Sequence, residues 1–179
     1  MLLLGVLLAL LIALIFGGKI RHIETASFSA PWLPVAAVIV EYAAKAVAAD
    51  WLCAAAVCAS YAAVAAFIFL NRQYKKTALA LGAGSLCNFS VIALNGFRMP
   101  VSPVAQGYLS PEALQKLLSG GIPMYAAQTA DTRLPFLGDI LCLPAFGLAS
   151  VGDVFLVIGA ALWIFAAMKP RLPRFLTDG

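Results

Sequence analysis

From Trp51 to Leu70 the chain reads WLCAAAVCASYAAVAAFIFL, a run that contains no charged residue. A helix of about 20 residues is about 30 Å long, which is the thickness of the hydrocarbon core of a bilayer. The many alanines allow neighbouring helix backbones to approach closely in lipid, so we expect this helix to serve packing inside a bundle. The stretch therefore predicts a membrane-spanning helix.

The composition of the whole chain agrees with this interpretation. Of 179 residues, 63% are hydrophobic and 11% are charged, and the mean hydropathy is +0.96, whereas soluble domains carry about 25% charged residues. The net charge of +4 comes from short basic clusters beside apolar runs. Such clusters set orientation in a membrane and do not form a nucleic-acid surface. We predict one membrane domain without a separate soluble one.

Five apolar segments are long enough to be considered as spans. They lie at about 2–17, 31–49, 51–70, 77–94 and 151–168, and a long connection covers 95–150. We predict an all-α integral membrane protein with about five transmembrane helices. The first segment has its basic residues after the apolar run, unlike a signal peptide, so we interpret it as a retained helix. In a rival arrangement with four spans, segment 31–49 lies in the membrane interface.

The basic residues predict the direction of each helix. With the N-terminus outside and the C-terminus cytoplasmic, the inner side holds eight basic residues and the outer side holds three, which follows the positive-inside rule. The inner ones are Lys19, Arg21, Arg72, Lys75, Lys76, Lys169, Arg171 and Arg174, and the outer ones are Arg98, Lys116 and Arg133. Residues 95–150 then form an extracytoplasmic loop, whose apolar content favours an ordered structure. Within it, Ser110, Pro111 and Gly120-Gly121 predict one short helix.

Two carboxylates belong at the outer boundary of the predicted bundle, where they can approach each other. Asp139 precedes a short apolar stretch, and Asp153 opens the last span. Each has a structural alternative: Asp153 can cap its helix, and Asp139 can pair with Arg98 or Arg133. We treat both as candidate catalytic residues. The candidate binding residues on the same side are Asn88, Asn95, Arg98 and Arg133, although Asn95-Gly96 is also typical of a plain turn.

A second constellation lies inside the membrane segment 31–49. Glu41 and Lys45 are four residues apart and share one helix face. Charges in a membrane segment are costly, so an ion or proton pathway is one interpretation. In the alternatives, the two charges neutralise each other or Lys45 extends toward the surface.

The cysteines and the histidine indicate no metal site. Cys53, Cys58, Cys87 and Cys142 form no Cys-x-x-Cys pair, and His22 has no second ligand near it in the sequence. The cysteines are interpreted as small apolar side chains. We expect neither a metal nor a cofactor.

Three motifs carry a resemblance to a known family. Asn95-Gly-Phe-Arg-Met-Pro-Val101, Leu137-Gly-Asp-Ile140 and Ser150-Val-Gly-Asp153 together resemble a bacterial family of small multi-pass membrane proteins with no assigned function. The resemblance covers nearly the whole chain. It implies a protein of the bacterial cytoplasmic membrane and implies nothing about activity.

The last helices also resemble, more remotely, signal peptidase II, the lipoprotein signal peptidase. Ser150-Val-Gly-Asp153 opens the final helix and Gly159 follows six residues later, as in that aspartyl protease. The resemblance implies that Asp139 matches the second catalytic aspartate and that Cys87-Asn88 stands at a Gly-Asn pair. Val91 and Ile92 replace an Asp-Arg pair of the protease, so the match is one of scaffold. Two such aspartates share a proton, and one activates water while the other protonates the leaving group.

Three functions therefore remain open from the sequence. The first is a membrane component that binds a partner or a ligand through its extracytoplasmic loop. The second is an aspartyl hydrolase with an Asp139/Asp153 dyad, and the third is a small transporter that uses Glu41 and Lys45. The expected partners are the lipid bilayer and a membrane protein or lipid-linked ligand, and no nucleic acid is expected.

Overall fold

A computed structural model describes residues 2–25, 28–143 and 147–173. In this part of the chain, a group of short strands lies between α5 and the last helix. The helices are α1 (Leu2–Ile15), α2 (Arg21–Thr25), α3 (Trp32–Val47), α4 (Asp50–Leu70), α5 (Lys75–Leu94), α6 (Pro103–Gln106), α7 (Pro111–Leu118) and α8 (Val151–Met168). The strands are β1 (Met99–Val101), β2 (Tyr125–Ala127), β3 (Asp139–Leu143) and β4 (Gly147–Ser150), and a 3₁₀ turn covers Pro135–Leu137.

Within the described part of the chain, three helices, α4, α5 and α8, are long and apolar enough to cross a membrane. Large apolar side chains are exposed on them, such as Leu79 and Leu86 on α5 and Phe155 and Ile158 on α8. Soluble monomers rarely expose extended apolar surface of this kind. Length, composition and exposed surface together indicate a membrane protein.

The other two predicted spans form shorter helices. α1 has 14 residues and α3 has 16, which corresponds to about 21 Å and about 24 Å of helix, less than the roughly 30 Å of a bilayer core. Segments 2–17 and 31–49 are thus helical over most of their length, and the count of five membrane crossings stays a prediction. Helix α5 begins two residues before the predicted start, because Lys75 and Lys76 form its first turn.

Helices α5 and α8 pack closely because glycine leaves room between their backbones. A Cβ atom added to Gly84 would lie 2.6 Å from the Gly152 carbonyl oxygen, and one added to Gly159 would lie 2.6 Å from the Leu81 side chain. Van der Waals contact between backbones is a principal attraction between helices in lipid. These contacts also show that α5 and α8 run antiparallel.

The ends of α1 and α8 meet at the end of the bundle far from the strands. The Lys19 amide donates a hydrogen bond of 3.0 Å to the Met168 carbonyl oxygen, and the Arg171 amide donates one of 2.8 Å to the Phe16 carbonyl oxygen. Because α5 is antiparallel to α8, its basic first turn lies at this end as well. Arg174, which entered the charge count, lies outside the described residues.

Residues 95–150, called the cap from here on, depart from the predicted all-α class. Their strands form one sheet in the order β2-β1-β3-β4, with β1 parallel to both of its neighbours and β3 antiparallel to β4. The all-α prediction is wrong here, because strands of three to five residues are too short to show a clear alternation in the sequence. The predicted short helix is confirmed as α7, and the Ser110 side chain accepts a hydrogen bond from the Ala113 amide.

Candidate functional site

The sheet of the cap leads directly into the last helix. Strand β4 ends at Ser150 and α8 begins at the next residue, so no loop separates them. Asp139, the first residue of β3, is the ladder partner of Ser150 on one side and of Val101 on the other. This register places Asp139 in the centre of the sheet and beside the residue that opens α8. It brings the cap carboxylate toward Asp153.

Asp153 belongs to a closed hydrogen-bond network at the start of α8. The Asp153 amide donates to Ser150 Oγ at 2.9 Å, and the Ser150 amide donates to Asp153 Oδ2 at 3.1 Å, which forms a capping box. Asn88 of α5 donates to Asp153 Oδ1 at 2.9 Å, and the Ser150 hydroxyl donates to Asn88 Oδ1 at 2.8 Å. Both carboxylate oxygens of Asp153 thus have donors. The predicted capping role of Asp153 is confirmed.

Gly152 is the residue that makes this network possible. A Cβ atom at this position would overlap the Asn88 side chain and would lie 2.7 Å from the Gly84 carbonyl oxygen. Only hydrogen fits between the Asn88 amide and the first turn of α8. The Ser-x-Gly-Asp motif therefore encodes a helix cap together with a docking place for one asparagine.

A cavity of about 210 Å³ lies where the cap meets the helices. It is lined by five residues that the sequence singled out, namely Glu41, Lys45, Asn88, Asp139 and Asp153. Tyr61 of α4 and Tyr125 of β2 complete the polar part of the lining, and the remainder is apolar. The carboxylate pair and the membrane charge pair, which the sequence suggested as separate sites, therefore face one cavity.

Asp139 is the carboxyl group in this lining that lacks a local partner. It is 6% exposed, and among the described residues no hydrogen bond or ion pair reaches its carboxyl group. Burial, and then the nearby charge of Asp153, raise the pKa of Asp139 to about 7. This carboxyl group can therefore hold or release a proton near neutral pH.

The two charges of α3 face the cavity without pairing with each other. Glu41 Oε1 accepts a short hydrogen bond of 2.5 Å from the Ser60 hydroxyl of α4. Lys45 Nζ lies 5.3 Å from the centre of the Tyr125 ring and 5.6 Å from that of Tyr42, which are cation–π distances. Among the described residues, no ion pair joins Glu41 and Lys45. The alternative of mutual neutralisation by direct contact is therefore wrong.

Asn95 and Arg133 join the end of α5 to the cap. The Asn95 side chain donates to the Arg133 carbonyl oxygen at 2.8 Å and accepts from the Arg133 amide at 2.9 Å. The turn predicted at Asn95-Gly96 is confirmed by the left-handed backbone of Gly96, with φ of 65°. The Arg133 side chain is exposed. Neither Asn95 nor Arg133 lines the cavity, and their observed contacts hold the fold of the cap.

Arg98 also lies outside the cavity lining. Its Nη2 forms an ion pair of 2.8 Å with Asp50 Oδ1 at the start of α4. The alternative that Asp139 pairs with Arg98 or with Arg133 is wrong, because no ion pair of the described residues involves Asp139. Arg98 instead links the cap to the turn between α3 and α4.

Sequence reasoning missed the two tyrosines and Ser60. Helix α4 was interpreted as packing only, yet Tyr61 lines the cavity and Ser60 binds Glu41. A hydroxyl pair in an alanine-rich helix was the available signal. Tyr125 gave none, because its place depends on the pairing of β2 with β1. Burial, and then the charge of Asp139, raise the pKa of Tyr125, so its phenol remains a hydrogen-bond donor at neutral pH.

Comparison with known proteins identifies the family of the chain. A model described as "Family of unknown function (DUF5317)" matches residues 25–165. The chain therefore belongs to the DUF5317 family, in agreement with the expected membership of a family without assigned function. A search of the curated proteins and a search of the solved structures found no match. The remote resemblance to signal peptidase II rests on the sequence motifs alone and stays a prediction.

Proposed function

We propose that this DUF5317 protein is a membrane component that binds a small polar ligand in the cavity between its helices and its cap. The observation that carries the proposal is the convergence of charged side chains from α3, β3 and α8 on one cavity: Glu41, Lys45, Asp139 and Asp153. Burying charge is costly, and ionisable groups at membrane depth mark functional sites by default. A concave site with a few converging polar groups is also the usual form of a ligand site.

The walls of the cavity support binding because hydrogen bonds hold much of their backbone and several of their side chains in place. One wall is fixed by the hydrogen bonds among Asn88, Ser150 and Asp153. A neighbouring part of the wall is fixed by the sheet, in which Asp139 has ladder partners on both sides. A preorganised site loses little conformational entropy on binding, so its polar contacts translate into affinity.

The distribution of charge supports a direction from which the ligand arrives. The basic ends of α1, α5 and α8 lie far from the cap, which suits a cytoplasmic side under the positive-inside rule. The cap then faces outward from a bacterial cytoplasmic membrane, with the N-terminus outside and the C-terminus cytoplasmic. The ligand is accordingly an extracytoplasmic small molecule, or the polar part of a lipid-linked molecule or of a membrane-protein partner in the bilayer.

Thermal unfolding of the full chain in lipid nanodiscs tests the proposal. Ethylammonium, glycine, acetate and inorganic phosphate are added separately at equal ionic strength. We expect at least one of these probes to raise Tm, because a ligand that binds only the folded state stabilises it. The same probe should have little effect on Asp139→Asn and its full effect on Arg133→Gln, whose altered side chain is exposed. No shift with any probe, or an equal shift in Asp139→Asn, contradicts ligand binding in this cavity.

A second candidate function is aspartyl hydrolysis at the same site. It is favoured by the different settings of the two carboxyl groups, since Asp153 has donors on both oxygens and Asp139 can carry a proton near neutral pH. When two neighbouring carboxyl groups have different environments, one can act as the acid and the other as the base. Asp139 would give its proton to the leaving group, while Asp153 would accept a proton from the attacking water.

Mass spectrometry of membrane proteins and lipids tests the hydrolase. Cells with the chain, without it, and with Asp139→Asn or Asp153→Asn are compared for altered N-termini and altered lipids. A hydrolase requires a product that disappears in the deletion and in both variants while the variant chains still insert. Identical profiles in all four strains, or full product in either variant, rule the hydrolase out.

A transport role for Glu41 and Lys45 stays a prediction. Both side chains face the cavity, but Glu41 is held by Ser60 and Lys45 lies against two tyrosine rings. Proton flux into liposomes that contain the full chain, compared with Glu41→Gln, measures this role directly. Flux that equals that of empty liposomes excludes it.

A further inference from the structure

A second cavity, of about 330 Å³, is formed by residues of the cap and is more open than the first. Val101, Leu109, Leu117 and Ile122 make its lining mainly apolar. These four residues belong to the apolar core of the cap. The second cavity is therefore a preformed apolar space, distinct from the charged cavity beside it.

The two cavities share part of their lining. Tyr125, Asp139 and Leu148 contribute to both. Asp139 thus stands at the boundary between a charged space on the side of the helices and an apolar space on the side of the cap.

Charge around the first cavity is unequal. Among the described residues of its lining, three carboxyl groups, those of Glu41, Asp139 and Asp153, face one ammonium group, that of Lys45. Ser60 binds Glu41, and Asn88 and Ser150 bind Asp153. Lys45 lies against aromatic rings, and its charge only partly offsets the rise that burial causes in the pKa of Asp139, without forming an ion pair with it. The buried carboxyl group of Asp139 is thus left without a hydrogen bond among the described residues. An anionic ligand would meet an excess of negative charge, whereas a cation would complete the site.

We propose that the ligand is a small amphipathic cation, whose ammonium group contacts Asp139 and whose apolar group occupies the second cavity. This inference rests on the proposed binding function and names the class of its ligand. A buried carboxylate needs a charged or hydrogen-bonding partner, which an ammonium group supplies. The ring of Tyr61 in the same lining favours a cation further. The apolar space gains from every methylene group that it removes from water.

Binding of a homologous series of amines tests the inference. The probes are n-alkylammonium ions from ethyl to hexyl, with the alcohols of equal length as neutral controls. They are titrated into the full chain in nanodiscs, with binding to empty nanodiscs subtracted. We expect affinity to rise about threefold to fourfold for each added methylene until the apolar space is full. Each alcohol should bind at least about tenfold more weakly than the amine of its length, and Asp139→Asn should remove this difference.

Filling the apolar space provides a second, independent measurement. Leu109→Phe and Ile122→Phe add volume at half-buried positions of its lining, so either should shorten the chain length at which affinity stops rising. The matched control is Leu118→Phe in α7, because Leu118 is 63% exposed and lies outside the lining. The control should retain the wild-type dependence on chain length.

The outcomes separate this inference from the function on which it rests. Ethylammonium binding that depends on Asp139 but does not strengthen with chain length overturns the inference and leaves the proposed function standing. Equal affinity for amines and alcohols overturns the assignment of a cation. Full chain-length dependence in both Leu109→Phe and Ile122→Phe overturns the placement of the apolar group. If neither amines nor the other polar probes bind, both the proposed function and the inference fail.

Discussion

Two parts of the cavity wall use their carboxyl groups in opposite ways. The helix wall is formed around Asn88 and Asp153, and the sheet wall around Asp139. On the helix wall, Asp153 receives hydrogen bonds from Ser150 and Asn88 and caps α8. On the sheet wall, Asp139 is buried and no group of the described chain binds its carboxyl oxygens. A saturated network stabilises a fold, whereas a buried group without a partner opposes folding and calls for a functional explanation. The helix wall thus has a structural role, and the proposed function gives recognition to the sheet wall.

The largest expected effect comes from crowding the helix wall. Gly152→Ala forces a methyl group against Asn88 and the Gly84 carbonyl oxygen, and we expect a loss of about 3 kcal/mol or more in the free energy of unfolding. Unfolding in detergent measures it. The control is Gly82→Ala in α5, where no atom lies within 4 Å of the added group, so its stability should be maintained or rise. Equal stability of the two variants contradicts the close packing.

The next effect distinguishes the two carboxylates. Asp153→Ala removes a partner of the capping box and leaves the Asn88 amide unsatisfied, so it should lower the free energy of unfolding by about 1–3 kcal/mol. Asp139→Asn should be neutral or stabilising at about pH 8, because it removes a buried charge that has no partner. Thermal unfolding of both variants at that pH gives the comparison. If Asp139→Asn were less stable than Asp153→Ala, Asp139 and not Asp153 would be the carboxylate that stabilises the fold.

The sequence revealed much of the helix wall and little of the sheet wall. Ser150, Gly152 and Asp153 act through contacts within one turn of α8, so their pattern is local and legible in the sequence. Asn88 joins them from α5, and its polarity in an apolar helix made it visible. In each case the signal was one unusual residue in a long periodic segment.

The position of Asp139 depends on contacts that no local pattern encodes. It is set by the pairing of β3 with β1 and β4, whose strands have three to five residues. The register shift in β3 between Asp139 and Leu141 hides the alternation further. The same is true of Tyr125, which stands on an edge strand of three residues. Sequence reasoning could therefore name Asp139 as a candidate but could not foresee a sheet around it.

An effect of pH is also expected, and it belongs to the sheet wall alone. The pKa of Asp139 is about 7 in the folded chain and about 4 when unfolded, so between these values the folded state binds more protons. The free energy of unfolding should therefore fall as pH rises from about 4 to about 7, by at most about 1.4 kcal/mol per pH unit, and level off above. Urea unfolding at several pH values checks this. Asp139→Asn should remove this decrease in the free energy of unfolding. If the variant shows the same decrease, another titrating group causes it.

The smallest effect is expected outside both walls. Arg98→Gln breaks the ion pair with Asp50, whose side chain is 81% exposed, so the free energy of unfolding should change by less than about 1 kcal/mol. Ligand affinity should not change, since neither residue lines the cavity. Thermal unfolding and amine binding are measured on the same sample. If Arg98→Gln lost amine binding, the ligand site would lie on the surface of the cap and not in the cavity.

The central claim, that Asp139 is the ligand contact of the cavity, is tested most directly by one titration. Butylammonium is added at about pH 8 to the full chain and to Asp139→Asn in nanodiscs, after the variant has been shown to be at least as stable as the wild-type chain. We expect butylammonium to bind the wild-type chain. Its affinity for Asp139→Asn should be at least about tenfold lower, because the variant lacks the charged group that contacts the ammonium. Equal affinity in the two proteins, or no binding to either, contradicts the claim.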